Sequence, residues 1–555
     1  MLRMLCCGLA LSLATLPGCT EVKRRPSTQN GNQEATVPKG PAPKLRLIAV
    51  TDLSGYLEPC GCQSVPLGGI DKAAAELDRL AADGAPALFV SVGDLFFEPV
   101  GGNHATTHDD AGEADASTQQ RWQAETLAGV LRRMGLVAAV PGPADFNHGP
   151  EVLAKLTKHS GATLLSATTG EVKGLSFVAK RMVERGGLKV GLWGLSDFGG
   201  DTAPDGLPKP AEDLVAEAQR LTAELRAEGA QVVVGLLRAD ARSARRLAGK
   251  VEKLDFLVHG GLSTHEVPVP ERIGSPTFLR AGYHGQGLLV VDLHPAAQPR
   301  EPAYEDASQW TREAKRDGLG REIETLTARI ATWEKEGQDA KLIAEQKARM
   351  EAMRGQRAAL EKPVSLEAGG VFDARYVKLT PKVGGAATIR TVLEAHDARV
   401  NEHNRTALAH VAPPPVPEGK AGYVGSERCG DCHAAALSWW EGHRHGNAYA
   451  TLEMRNKQFN LSCVGCHVTG YHKPGGATVV QNEGLTDVGC ESCHGPGSLH
   501  VKDRKAPAEV NVVRTVPEST CLECHVPEHS DRFEYNAYKA MLMAPGHGLP
   551  AKGGT

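Results

Sequence analysis

Four short patterns near the C-terminal end carry the clearest chemistry: CGDCH (Cys429, Cys432, His433), CVGCH (Cys463, Cys466, His467), CESCH (Cys490, Cys493, His494) and CLECH (Cys521, Cys524, His525). Two thiols one helical turn apart can add to the two vinyl groups of a haem, and the histidine that follows then lies beneath the iron as a proximal ligand. A zinc reading would require the cysteine pairs to combine into four-ligand sites, and it leaves the adjoining histidine unexplained. The expected cofactors are therefore four covalently attached haem c groups. Opposite faces of the irons draw on His443, His445, His472, His500, His529 and His547, with the thioethers of Met454, Met541 and Met543 as rivals. Histidine on both faces lowers a haem potential relative to a His/Met pair. Residues 422–555 are rich in Gly, Pro and His and cannot bury much apolar surface of their own. The porphyrins must supply the core, and the region should not fold without them.

The stretches YVGSERCGDCH, WWEGHRHGNAY, CVGCHVTGY and VGCESCHGPGSLH resemble the tetrahaem cytochrome c554 family over residues 422–549. That resemblance implies His445 and His500 as distal ligands, His547 in PGHG as a third, and one haem with an open axial position. It also implies export, because thioether attachment in bacteria takes place outside the cytoplasm.

The first residues, MLRMLCCGLALSLATLPGCT, have a basic start at Arg3, an apolar run to Leu16 and a small-residue exit at Gly18. This is export architecture. Leu16-Pro17-Gly18-Cys19 resembles a bacterial lipoprotein signal, which implies removal of the residues before Cys19 and acylation of its thiol. An ordinary secretory signal with a coincidental cysteine is the alternative. Residues 20–43, rich in Pro, Gln, Asn and Lys, read as a flexible tether. By similarity to other lipoproteins, Thr20 after the cysteine favours the outer membrane, so the expected location is periplasmic or outer-membrane associated. Expected partners are redox proteins, with the membrane reached through the lipid. A formal charge of -4 gives no nucleic-acid signal. Of the 13 cysteines, Cys60 and Cys62 belong neither to the leader nor to the four motifs. Such a pair can bind a soft metal, cycle as a strained disulfide, or sit as an ordinary oxidised pair.

At 555 residues, with 41% hydrophobic and 23% charged residues, the chain has room for several cores. Strand-like runs at 44–50, 87–92, 137–140, 188–195, 231–237, 255–258 and 287–293 alternate with helical periodicity at 120–134 and 210–228. They predict an α/β fold with a largely buried sheet, whose strand ends carry the functional loops. The segments LIAVTDLSGYLEP, LFVSVGDLF, VPGPADFNHG, VVVGLLRAD and LDFLVHGGLSTH resemble the calcineurin-like metallophosphoesterases, in particular bacterial 5'-nucleotidases, over residues 44–295. The resemblance implies a sandwich spanning 44–300 and a two-metal site built from Asp, His and Asn at the strand ends.

Most of those ligands are missing. Asp52 and Asp94 remain, but Ser54, Pro143, Ala144, Arg238, Gly261 and Ser263 occupy the other ligand positions. No dinuclear centre is expected, and hydrolysis is read as lost. Substitutes are few: Asn103-His104, His108, Asp109 and Asp110 fall in a predicted polar loop at 101–118, and His148, His259 and His265 are out of register. Apolar residues at Ile323, Leu326, Ile330, Trp333, Met350, Met353 and Leu360 predict a helical hairpin over 308–362, interrupted at Gly337. A return strand and helix (363–406) and a Pro-rich extended linker (407–421) lead to the cytochrome segment, 422–555. Three functions remain open on these residues. They are an electron carrier with a docking domain, a haem enzyme acting on a small nitrogen compound, and a nucleotidase with a cytochrome appended.

Overall fold

The computed structural model describes residues 41–59, 65–99, 110–169, 172–198, 213–261, 267–297, 303–367, 369–503, 512–526, 530 and 532–550. The expected leader with Cys19, most of the tether, Cys60 and Cys62, Asn103-His104, His108, Asp109, Ser263, His265 and His529 lie outside these residues.

Continuous apolar runs make strands that are buried on both faces. β1 (Leu45–Thr51), β2 (Ala87–Gly93), β3 (Leu136–Pro141) and β4 (Thr163–Leu164) pair in parallel in that order. The second sheet runs β5 (Lys180–Arg185), β6 (Leu188–Ser196), β7 (Val232–Arg238), β8 (Phe256–Gly260), β10 (Thr277–Leu279) and β9 (Glu271–Arg272). β11 (Gly287–His294) returns antiparallel to β1, followed outward by β13 (Val371–Lys378) and β12 (Glu305–Asp306). Side chains from the inner faces of both sheets, among them Leu47, Val90, Val92, Val190, Val234, Leu236 and Phe256, form one core. The fold is thus a two-sheet sandwich with helices outside it.

α1 (Ile70–Ala81) sets Ile70 and Ala73 against Val50, Phe89 and Leu288 of the first sheet. α2 (Asp110–Arg133) and α3 (Pro150–Ser160) lie beside it, whereas α4 (Leu214–Ala227) and α5 (Ala241–Ala248) cover the second sheet. α6 (Gln309–Glu336) and α7 (Ala340–Ala359) form the predicted hairpin. Gly337, at φ 68°, makes its left-handed bend, and Asp339 caps α7 by accepting from Lys341 and Leu342 N–H. Ile323, Ile330 and Met353 are the buried residues of its seam.

Three expectations need correction. The reading of 101–118 as a loop fails from Asp110 onward, where α2 already runs. The α/β domain does not end at 300, because β13 pairs residue by residue with β11 and widens the first sheet. The Pro-rich segment is no free spacer. After α8 (Ala387–Ala407), the carbonyls of Ala409, Val411 and Pro414 accept from Gln481 Nε2, Thr478 Oγ1 and Gly475 N–H. Leu408 and Val411 enter the small apolar cluster around Val464 and Val468.

The C-terminal segment is built from α9 (Ser426–Glu441), kinked at His433, and six short helices: α10 (Ala448–Glu453), α11 (Leu461–Val464), α12 (Cys490–His494), α13 (Ser498–Lys502), α14 (Glu518–Leu522) and α15 (Tyr535–Leu542). Among the described residues no helix is long and apolar enough to cross a membrane.

Candidate functional site

Each of the four motifs begins on a helix: Cys429 on α9, Cys463 on α11, Cys490 on α12 and Cys521 on α14. Both cysteines of the first and third motifs are helical, whereas α11 and α14 end before Cys466 and Cys524. The first motif kinks at His433, φ -113° and ψ 42°. All four motifs line one cavity of about 3570 Å³. A single small-molecule pocket spans roughly 300–1,000 Å³, so this space suits several large planar groups and not one. Thiols of different motifs meet across it: Cys429 lies within hydrogen-bond reach of Cys490, and Cys466 of Cys524.

The ring nitrogens are prepared for a metal. His467 Nδ1 lies 2.7 Å from Ala448 O, His494 Nδ1 2.6 Å from Val513 O and His525 Nδ1 2.9 Å from Ser530 Oγ. A Nδ1–H donated to such an acceptor leaves Nε2 as the basic nitrogen, the arrangement that orients imidazoles toward metals. His547 repeats it, with Nδ1 2.6 Å from Leu542 O. Two imidazoles sharing one metal through bonds of about 2.0–2.1 Å would have ring centroids on the order of 6 Å apart. His494 and His547 stand 6.3 Å apart, and His445 and His525 stand 6.0 Å apart. Burial, with His443 and His525 beside it, lowers the His445 pKa to about 4, so its ring is neutral as a ligand must be. His445 and His500 each keep a buried Nδ1 without a hydrogen-bond partner, and both rings line the cavity. These residues fit haem.

The other candidates divide. His443 stacks on Trp439 at 4.9 Å, and His472, at φ 52°, packs edge-on to Tyr471 at 4.2 Å; both line the cavity. Met541 and Met543 line it while largely exposed, and Met454 is 79% exposed. Glu491, inside the third motif, was not singled out from the sequence. Its buried carboxylate accepts from Val424, Gly425 and Gly497 N–H at 2.7 to 3.1 Å, tying the start of α9 to α12. Cys490 N–H donates to Ser426 Oγ at 3.1 Å and Trp440 Nε1 to Val488 O at 2.9 Å, completing that joint.

The parallel strands of both sheets finish along one edge, and loop residues there, Ser54, Phe96 and His148 among them, line the same cavity as the four motifs. Asp52 follows β1, Asp94 follows β2, Pro143-Ala144-Asp145 follows β3, and Arg238 ends β7. The carboxylates serve the main chain. Asp52 accepts from Gly261 N–H at 2.8 and 3.1 Å and from Asp94 N–H at 3.2 Å, and Asp94 from Ala144 N–H at 2.8 Å. Asp145 takes Phe96, Leu95 and Gly142 N–H at 2.7, 3.0 and 3.1 Å. Gly93 and Gly142 have to be glycines, because a Cβ would meet the Asp52 and Asp94 carboxylates at 2.0 and 2.1 Å.

Burial raises the Asp52 pKa to about 7 and raises that of Asp94. Burial and then the Asp94 charge push Asp145 up to about 8. Arg238 faces the first two carboxylates and donates through Nη1 to Asp197 O at 2.9 Å. His148 is held between Ser117 Oγ (3.3 Å) and Gln120 Oε1 (3.0 Å), and His259 is buried with Nε2 2.8 Å from Ala239 O. Ser54 sits buried at φ 51°, its Oγ 3.5 Å from Asp52 O.

Residues 428–495 match the family model described as cytochrome c554 and c-prime. Cytochrome c-554 of Nitrosomonas europaea is 36% identical over 93 residues, a match covering 14% of this chain and 40% of that relative's length. Among solved structures, the 5'-nucleotidase precursor of Thermus thermophilus aligns at TM-score 0.42 and 16% identity, over 80% of this chain and 86% of that one. The NAD nucleotidase of Haemophilus influenzae aligns at 0.36 and 19%, over 44% of this chain and 52% of that one. The C-terminal segment thus resembles cytochrome c554, and it follows an α/β domain whose structural neighbours are 5'-nucleotidases and other calcineurin-like phosphoesterases.

Proposed function

We propose that the chain is an exported electron-transfer cytochrome carrying four haem c groups, held at a membrane through acylated Cys19. In this reading the α/β domain has given up phosphoester hydrolysis and serves as a docking body for redox partners. The observation that carries the reading is the convergence of all four motifs, with His445, His500 and His547, on one cavity. Cys429 and Cys432, Cys463 and Cys466, Cys490 and Cys493, and Cys521 and Cys524 would hold the groups covalently. His433, His467, His494 and His525 would bind from the proximal side. The ring spacings support His547 opposite His494 and His445 opposite His525, which leaves His500 for another iron. Haem bound there would supply one-electron exchange at iron, and histidines on both faces would lower its potential. The chain orients those imidazoles through the carbonyls of Ala448, Val513 and Leu542.

Loss of hydrolysis is supported by the strand ends, where carboxylates that would ligate two metals instead accept from main-chain N–H and face Arg238. Mass spectrometry of matured protein tests the cofactor count, with four added haems expected and none fatal to the reading. Redox-poised optical and EPR spectra test the carrier. All-low-spin ferric haem is expected, and a high-spin component that binds nitrite or nitric oxide would favour the enzyme. Phosphatase turnover dependent on Mn or Zn, and abolished by Asp94→Asn, would restore the nucleotidase.

A further inference from the structure

Contacts that cross from the α/β domain into the cytochrome segment concentrate on residues 456–462, the stretch leading into the second motif. Gln119 of α2 donates from Nε2 to Asn460 Oδ1 at 3.0 Å, and its Oε1 accepts from Leu461 N–H at 3.1 Å and from Asn404 Nδ2 at 2.9 Å. Asn460 is the N-cap of α11, so the α/β domain grips the end of the helix that carries Cys463. On α8, Asn404 donates to Phe459 O at 2.8 Å, and Asn401 accepts from Phe459 N–H at 3.0 Å while donating to Asn456 Oδ1 at 2.6 Å. Gln119, Asn401 and Asn404 are all buried. Buried amides held by several partners at once specify one geometry.

A charge accompanies the amides. Lys457, 17% exposed, pairs with Glu58 of the loop after β1 and with Asp397 of α8 at 3.4 Å. Its side chain lines the same cavity as Cys463. The motif histidines themselves, His467, His494 and His525, take their Nδ1 partners from within the cytochrome segment, Ala448, Val513 and Ser530.

We propose that the α/β domain sets the reduction potential of the haem attached at Cys463 and Cys466, by fixing residues 456–462 and by holding the Lys457 charge beside that motif. Gln119, Asn401 and Asn404 are positioning residues, and Glu58 and Asp397 are the counter-charges that place Lys457. The inference rests on the electron-transfer reading above. A fixed positive charge favours the ferrous state, which carries one positive charge fewer than the ferric.

The test is a potentiometric titration of the full-length holoprotein, followed by optical and EPR spectra, at pH 8. Burial pushes Asp397 up to about 6, so it is charged there. Lys457→Met is expected to lower one midpoint, by a threefold to tenfold change in the reduction equilibrium, about 28–59 mV for one electron. Glu58→Gln and Asp397→Asn should raise the same midpoint, and Lys457→Arg should leave it in place. Opposite signs on a single haem are not what general loosening produces. Glu58 is 40% exposed, so its neutral variant keeps the test alive if the others misfold. Equal shifts of every haem, shifts of one sign only, or unmoved midpoints with all haems attached would overturn the inference alone. Absence of haem from Cys463 and Cys466 in the unaltered protein would overturn the electron-transfer reading instead.

Discussion

The two halves of the molecule reach a packed state by different means. The α/β domain brings its own interior: strands buried on both faces, a core shared by two sheets, and a second apolar layer under α4 and α5. In the cytochrome segment the buried apolar side chains are few, among them Trp440, Tyr449, Leu452, Val464 and Val468. Most of its helices are four to eight residues long, α9 being the exception. Helices so short do not stand alone in water, and conformational entropy outweighs what such a stretch can bury. The contrast teaches that the α/β domain carries its folding free energy in its own hydrocarbon, whereas the segment after about residue 410 buries too little of it and, on the reading proposed above, would draw on covalently attached porphyrin.

The most severe break is replacement of all eight motif cysteines by serine. The cytochrome segment should then fail to fold while the α/β domain stays native. Limited proteolysis should leave a protected fragment ending near α8, and a compact, protease-resistant C-terminal segment would refute the contrast. The converse is Asp145→Ala, which strands three buried backbone N–H groups. It should cost the α/β domain about 2–4 kcal/mol, read by urea denaturation, with the haem spectrum unchanged. Next comes His547→Ala, predicted to turn one haem from low-spin to high-spin in EPR without unfolding either half.

The mildest effect is a pH slope confined to the α/β domain. Asp52 and Asp145, raised to about 7 and about 8, hold protons in the folded state that the unfolded chain releases near pH 4. Stability contributed by these groups is complete below about pH 4 and declines as pH rises to about 8. A urea midpoint that rose over this range would contradict the assignment, and Asp145→Asn should flatten the slope.

What could be read from sequence follows how local each signal is. The haem motifs were legible because their chemistry is complete within five residues. β1, β2, β6 and β7 were legible because strands buried on both faces show as unbroken apolar runs. The start of α2 was not: its DAGEADAST stretch has helix-forming Ala and Glu but no apolar periodicity. β13 reads as a strand, yet nothing local says that it lies beside β11, some eighty residues earlier in the chain. Gln119, Asn401 and Asn404 look like ordinary polar faces of helices until α11 is laid against them. Asp145 and Glu491 escaped because a carboxylate that serves backbone N–H groups has no spacing rule. The residue types at Ser54, Pro143, Ala144 and Arg238 were visible, but that Asp52 and Asp94 accept from main-chain N–H groups required coordinates.

The docked proline segment has a kinetic corollary. Pinned by Gly475, Thr478 and Gln481, it denies the cytochrome a swinging arm. On the electron-transfer reading proposed above, current through this molecule would be collected by visitors: donor and acceptor would come in turn to a stationary post, with turnover set by their encounter frequency and not by any stroke of the post itself.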